Sequence, residues 1–248
     1  MTPFWSTRLF AFLAMVLSAV SAPPSARGQS ADVRASYDQA GALYQAGDFA
    51  AALPEAEIAL SLAEEELGEN HLAVAGYLMG VAAIRHALGD DAEAEPMFLR
   101  ALDIREATLG PDHPDVAGAL DGVALVIISQ GRYLEAESLL LRALAIREET
   151  LDDDDPLVAD AVENLAALYR KQRRYEDAEP LYERAMVIQK ATLGANDPRI
   201  ADSLQSLAAL YAAQDRYGDA ENRLIEAVEI RNAHFGPDDR NRRPNCVQ

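Results

Sequence analysis

Apolar residues recur along this chain in paired stripes of helical spacing. In one segment, residues at a spacing of three or four form a first stripe, a polar break follows at 172–174, and a second stripe begins. The first stripe comprises Val162, Leu165, Ala166 and Tyr169, and the second comprises Ala178, Leu181, Tyr182, Ala185 and Ile188. This pattern predicts two amphipathic helices that form a hairpin with an apolar seam.

Three alanines mark each hairpin, and they repeat with a period of 42 residues. The triplets are Ala40, Ala52 and Ala59; Ala82, Ala94 and Ala101; Ala124, Ala136 and Ala143; Ala166, Ala178 and Ala185; and Ala208, Ala220 and Ala227. A side chain as small as a methyl group is favoured where helices cross closely. A regular internal period of this size predicts a stacked repeat protein.

On these residues the chain resembles an array of tetratricopeptide repeats (TPR). The alanines match the small residues of that repeat, and Tyr169 and Tyr182 match its aromatic positions. The segments 109–114 and 130–137 are similar to the longer, kinesin light chain-like variety that occurs in bacterial exported proteins. The resemblance implies an all-α fold, a right-handed α-solenoid of about five TPR helix-turn-helix hairpins.

Four residues depart from the pattern of this family. Ala56 stands at the aromatic position of the first copy, and Arg85 stands where a tyrosine is expected in the second. Arg173 and Asp215 replace the glycine of the turn between the two helices. The first copy is the least typical, as expected for a capping repeat.

The organisation that we predict has three parts. They are a signal peptide at 1–28, a TPR solenoid at 29–236 with repeats at about 31–68, 72–110, 114–152, 156–194 and 198–236, and a disordered polar tail at 237–248. An apolar run at 9–20 follows Arg8 and precedes small residues, as in secretory signals. We expect cleavage after Gly28; cleavage after Ala22 and an uncleaved membrane anchor are the alternatives. A signal of this kind predicts an exported bacterial protein, periplasmic or secreted.

The charge of the chain indicates what kind of partner it has. The net charge is −19, which repels nucleic acid and anionic membranes and favours a partner that carries basic residues. After cleavage, we expect no stable membrane insertion. Cys246 is the only cysteine, so it could form only an intermolecular disulfide.

The sequence offers little for catalysis. It contains no phosphate-binding loop, no Gly-x-Ser-x-Gly elbow, no His-Glu-x-x-His and no Cys-x-x-Cys. The four histidines are scattered, and the acidic run 152–155 is better suited to capping a helix than to binding calcium. We therefore predict no catalytic residues, no metal site, no cofactor and no enzymatic activity.

The family resemblance implies a ligand groove on the concave side, lined by the first helix of each hairpin. Carried over position by position, the candidate groove residues are Met79, His86, Asp121, Leu125, Asp160, Glu163, Asn164, Arg170, Lys171, Asp202 and Gln205. The function that follows is an exported interaction scaffold, or adaptor, that binds a peptide segment of another protein in this groove.

Two alternatives remain open. One is a structural solenoid of the cell envelope that associates with itself and binds no peptide, and the other is a repeat module that works with a separate catalytic domain. The polar residues of the last helix, such as Glu221, Arg223 and Glu226, predict a terminal cap and disfavour open-ended stacking.

Overall fold

The computed structural model describes residues 30–235 as ten α-helices without strands. The helices are α1 (Ala31–Gln45), α2 (Phe49–Leu67), α3 (Leu72–Leu88), α4 (Asp91–Leu109), α5 (Pro114–Ser129), α6 (Tyr133–Thr150), α7 (Pro156–Lys171), α8 (Tyr175–Leu193), α9 (Pro198–Ala213) and α10 (Tyr217–Phe235). They form five consecutive antiparallel pairs, as the repeat pattern predicts. The predicted signal peptide, the predicted tail and Cys246 lie outside the described residues.

The chain divides into two compact units, and the boundary between Leu139 and Leu140 falls inside α6. In the first unit, α1 packs on α2 and α3 on α4, while α2 contacts α3 and α4 contacts α5. In the second unit, α7 packs on α8 and α9 on α10, while α8 contacts α9. Within each unit, therefore, every hairpin also packs against the hairpin that follows it.

The alanines of the 42-residue period lie in the core of both units. All fifteen are buried, and the most exposed of them, Ala220, shows only 6% of its surface. Their burial confirms that the small residues stand where helices pack closely. Larger residues such as Phe98 and Tyr182 fill the remaining space between the helices.

Four of the five hairpins begin with the same kind of N-cap, whereas Ser30 caps the first through the amide of Val33. His71 and His113 accept a hydrogen bond through Nδ1 from the backbone amide two residues later, at 3.1 Å in both cases. Asp155 and Asp197 stand at the equivalent positions and accept through Oδ1, at 2.8 and 2.9 Å. These side chains satisfy a backbone donor that the first turn of the helix leaves unpaired. The two histidines at the junctions between repeats are thus structural.

The turn between the two helices of a hairpin has one backbone conformation whatever residue occupies it. Gly47, Gly89 and Gly131 have φ values of 80°, 88° and 79°, and Arg173 and Asp215 adopt 62° and 61° at the equivalent positions. The packing of the hairpin therefore imposes a left-handed residue even where the side chain disfavours it.

The last helix corrects one expectation. Its polar residues predict a terminal cap, but one face of α10 exposes Tyr217, Leu224, Ile225 and Val228. The expectation of a polar cap is therefore wrong for this face of the helix. The polar residues of α10 lie beside the apolar ones and do not replace them.

Candidate functional site

The predicted groove residues of the first unit offer little accessible surface. Met79 on α3 is 1% exposed and Asp121 on α5 is 3% exposed. Leu125 is half-buried, and the Nδ1 atom of His86 lies 2.5 Å from Oδ1 of Asp91 at the start of α4. Within this unit, His86 and Leu125 are thus the predicted residues that keep accessible side-chain surface.

Two residues that the sequence argument did not select fill the space beside these positions. A Cβ atom added to Gly122 would lie 2.5 Å from the ring of Phe98, so the α4 side chain occupies the place of an α5 side chain. Arg105 donates from Nη1 to the carbonyl oxygen of Asp115 at 2.5 Å, close to Gly118. Burial lowers the pKa of Arg105. The second helix of one hairpin therefore reaches the first helix of the next.

In the second unit, most of the predicted groove residues are partly accessible. Asp160, Asn164, Arg170 and Lys171 on α7 are half-buried, whereas Glu163 is 7% exposed. Because a helix rises about 1.5 Å per residue, Asp160 and Arg170 are about 15 Å apart along the axis of α7. The acidic and basic candidates therefore occupy opposite ends of this helix.

The basic end of α7 has a perturbed ammonium group. Burial, with the charge of neighbouring Arg170 as a smaller cause, lowers the pKa of Lys171. A partly desolvated ammonium group beside a guanidinium gains energy when an anion or a carbonyl oxygen approaches. This end of the helix is thus suited to an acidic or carbonyl group of a ligand.

The two candidates on α9 already have a cationic partner in their own hairpin. Arg231 on α10 donates from Nη2 to Oδ1 of Asp202 at 2.5 Å and to Oε1 of Gln205 at 3.2 Å. Arg231 is only 8% exposed. A ligand cation that approaches Asp202 must therefore compete with a buried guanidinium.

The 42-residue period could have revealed this partner. Arg105, Arg147 and Arg231 occupy equivalent positions, and Gln189 stands at the fourth. Gln189 accepts a hydrogen bond from Oγ of Ser203 at 2.6 Å, which again joins a second helix to the following first helix. These residues lie on second helices, and the predicted groove residues were all taken from first helices.

In the second unit, α7 and α9 contact each other and form a surface that we call the first-helix face. Its members are the half-buried residues Asp160, Asn164, Ala167, Arg170, Lys171, Asp202, Gln205 and Ala209. Small side chains lie along its middle, and charged groups lie beside them. A chain segment can approach the backbone of both helices closely over these small residues.

Two other kinds of site are absent from the part of the chain that the structure describes. Residues 30–235 contain no group of three or more histidine, cysteine, aspartate or glutamate side chains that could hold a metal ion. Among the same residues, no helix combines the length and the apolar character that a membrane span requires.

Comparison with known families identifies the repeats. The tetratricopeptide repeat model matches four overlapping segments, residues 32–107, 74–149, 115–185 and 157–233. The chain belongs to the tetratricopeptide repeat family. Membership of this family supports a protein–protein interaction scaffold and favours a protein without enzymatic activity. No curated protein matched the chain.

Several solved structures share the fold. A kinesin light chain protein of Podosopora anserina with nearly identical TPR-like repeats is 23% identical, with a TM-score of 0.67; the match covers 83% of this chain and 97% of that one. BtubC (BKLC) from P. vanneervenii is 21% identical, also with a TM-score of 0.67, over 95% and 97% of the two chains. RapI in its apo form is 18% identical, with a TM-score of 0.64, over 82% and 71%. At these identities the likeness shows the fold alone.

Proposed function

We propose that this TPR protein is an exported adaptor that binds a segment of another protein on the first-helix face of the second unit. The observation that carries the proposal is the composition and exposure of that face. Asn164, Ala167 and Ala209 are small and half-buried, and the charged groups of Asp160, Arg170 and Lys171 lie along the same helix as the first two. Shallow contacts of this kind, spread over successive repeats, suit an extended or helical segment.

The charges support a ligand with both basic and polar groups. The net charge of −19 attracts a basic segment over a long range, and this attraction is weaker at high salt. At short range, Asp202 is bound by Arg231, which limits its value to a ligand cation. Asp160, at the opposite end of the face from Lys171, interacts with the charge of Arg199, so a ligand lysine or arginine would compete with a guanidinium there as well.

The experiment that tests the site uses a photocrosslinking amino acid at position 209 in the full chain. The matched control carries the same amino acid at Ala191, an exposed residue on the outer helix α8. We expect a protein of the cell envelope to crosslink at 209 and not at 191. Equal crosslinking at both positions would contradict a ligand site on the first-helix face.

The identified partner is then titrated against two arginine variants of the purified protein. Ala209→Arg places a long side chain over the middle of the face, and Ala191→Arg adds the same charge elsewhere. We expect only the first variant to weaken binding, by about tenfold or more. If both variants weaken binding equally, the added charge and not the face is responsible.

The salt dependence of the same titration tests the electrostatic part of the proposal. The Debye length falls from about 30 Å at 0.01 M salt to about 10 Å at 0.1 M. We expect the association rate to fall over this range for a basic partner. A rate that is independent of salt would argue against a basic segment and leave the location of the site unaffected.

A further inference from the structure

The last hairpin of the second unit has an exposed apolar surface, which we call the end face. It comprises Tyr217, Leu224, Ile225 and Val228 of α10, which are 66%, 42%, 50% and 37% exposed, together with Ala212 of α9. These residues line a shallow groove with Glu221 and Glu229 at its rim. Among residues 30–235, no helix covers this groove.

Earlier hairpins show what normally covers these positions. Leu224 is equivalent to Phe98 and Tyr182, which are 0% and 1% exposed. Phe98 packs against α5, the first helix of the following hairpin, in the space left by Gly122. The sequence thus keeps an apolar residue at 224 although no first helix lies over it in the described structure. By analogy with Gly122, a helix that covers the end face would place a small residue against Leu224.

Among residues 30–235, the rim of the end face also lacks its usual partner. Glu221 is equivalent to Glu95 and Glu179. Glu95 accepts a hydrogen bond from Nη1 of Arg132 at 2.6 Å, and Glu179 accepts from Nη1 of Arg216 at 2.8 Å; each arginine directly follows a covering first helix and its turn. Within the described residues, no hydrogen bond or ion pair of the Glu221 side chain is found. The missing partner is therefore a cation at the end of a helix.

We infer that the end face is a second binding site, distinct from the first-helix face, and that its occupant is an amphipathic helix of another protein. That helix presents a small residue to Leu224 and covers Ile225 and Val228 with apolar side chains. An arginine or lysine beyond its C-terminal end pairs with Glu221. The end face thus recognises both an apolar surface and a charge.

A second copy of this chain fits the end face poorly. In a head-to-tail stack, α1 would cover the groove, and Asp38 stands at the α1 position equivalent to Gly122. Asp48 stands at the position equivalent to Arg132 and would face Glu221. Two end faces that meet each other would bring together the acidic rims formed by Glu221 and Glu229. The head-to-tail stack would bury the Asp38 carboxylate and bring Asp48 close to Glu221, and the face-to-face arrangement would bring glutamates together. The burial of a carboxylate and the repulsion between like charges disfavour both arrangements.

The probe for the test is a peptide with the sequence of residues 156–174 of this chain. It has the sequence of a covering first helix, with Asn164 at the small position and Arg174 at the position of Arg132. It carries four basic and two acidic side chains, which complements the rim. A fluorescent label at its N-terminus allows binding to the full-length protein to be followed by anisotropy.

Three variants, with Leu134→Glu as a control, test the contacts in turn. We expect Leu224→Glu to weaken binding of the peptide by about tenfold or more, whereas Leu134→Glu, at an exposed residue of α6, leaves it unchanged. The peptide variant Arg174→Glu should bind more weakly to the wild-type protein. The protein variant Glu221→Arg should restore its binding. Circular dichroism of each protein variant confirms that the fold is retained.

Four results would overturn the inference. The first two are no binding of the peptide up to about 1 mM, which corresponds to only about 4 kcal/mol of affinity, and equal binding to the Leu224→Glu variant. The third is a dimer in sedimentation that Leu224→Glu dissociates, which would make a second copy the occupant. The fourth is a gain of about tenfold or more in peptide affinity on deletion of 236–248, which would make that segment the occupant. Success of the rescue by Glu221→Arg together with a monomeric protein supports a partner helix.

Discussion

At the residue scale, the turns inside the hairpins show that packing can impose a conformation that the side chain opposes. Three turns use glycine, but Arg173 and Asp215 hold positive φ values at the same place. A left-handed conformation costs an ordinary L-residue roughly 1–2 kcal/mol. Asp215 has a local compensation, because its Oδ1 accepts a hydrogen bond from the hydroxyl of Tyr217 at 2.7 Å.

Arg173→Gly should stabilise the protein, since glycine adopts a positive φ without the clash of a Cβ atom. The expected gain in the free energy of unfolding is about 0.5–1 kcal/mol after the extra entropy of glycine in the unfolded chain is subtracted. Urea denaturation measures it. Arg173→Ala is the control: it removes the same charge but keeps the Cβ atom, and it should give no such gain. A gain of equal size for both variants would trace the effect to the charge.

The contact between Phe98 and Gly122 is a second feature at the residue scale, because it leaves no space for a Cβ atom at 122. An alanine at 122 would place its Cβ 2.5 Å from the ring of Phe98, whereas at Gly80 the nearest atom, on Tyr37, would lie at 3.4 Å. Gly122→Ala should therefore destabilise by about 1–3 kcal/mol. Gly80→Ala should be near neutral, because the Tyr37 contact is tolerable and alanine favours the helix. Urea midpoints of the two variants decide this; equal midpoints would contradict the close approach.

The residues that sequence alone could place are those whose role is the same in every repeat. The alanines of the seam were predictable because the 42-residue period repeats them in every hairpin, and all of them are buried. Met79 and Arg231 were not, since their surroundings depend on side chains from other helices. Met79 was expected on an accessible groove but is buried, and Arg231 was overlooked although it binds two predicted groove residues.

At the element scale, successive hairpins are joined by packing and by polar contacts between their helices. Glu95 on α4 illustrates the polar part. It accepts hydrogen bonds from Nε2 of Gln130 at 2.8 Å and from Nη1 of Arg132 at 2.6 Å. These two hydrogen bonds, with the charge of Arg132, hold the pKa of Glu95 below its ordinary value. The contact joins the second hairpin to the third within the first unit.

The lowered pKa gives a pH dependence of stability with a definite sign. A carboxyl group whose pKa is lower in the folded state stabilises the protein above its ordinary pKa of 4.5, and this contribution is lost as the pH falls through the depressed value. Glu95→Gln should therefore be less stable than the wild type at pH 7. The difference should shrink as the pH is lowered below about 4. Thermal unfolding at a series of pH values measures it.

The control for this prediction is Glu65→Gln, at an exposed glutamate in the same unit. It removes one negative charge without removing the contact to Gln130 and Arg132. We expect it to leave the pH dependence close to that of the wild type. A pH curve for Glu95→Gln that runs parallel to that of the wild type would show that folding does not lower the pKa of Glu95.

At the scale of the whole molecule, the repeat period predicted the fold but not which surfaces are available. Five alanine registers, each accompanied by two apolar stripes of helical spacing, predicted the ten helices in five hairpins. The accessible surfaces depend on how much of each first helix its neighbours cover, and this differs between Met79, which is buried, and Asn164, which is half-buried. The exposure of the apolar residues of α10 was likewise not predicted, because glutamates stand between them in the sequence.

Export is the prediction that concerns the whole chain. The apolar run at 9–20 follows Arg8 and ends in small residues, and a run of this length is shorter than the roughly 20 residues of a transmembrane helix. We therefore expect the mature protein to begin at Gln29 and to be recovered outside the cytoplasm. N-terminal sequencing of the protein from the periplasmic or secreted fraction tests this. A start at Pro23 would shift the cleavage site and keep export. Intact Met1 in the membrane fraction would show that the segment is an anchor, and the first-helix face would then meet its partner at a membrane surface.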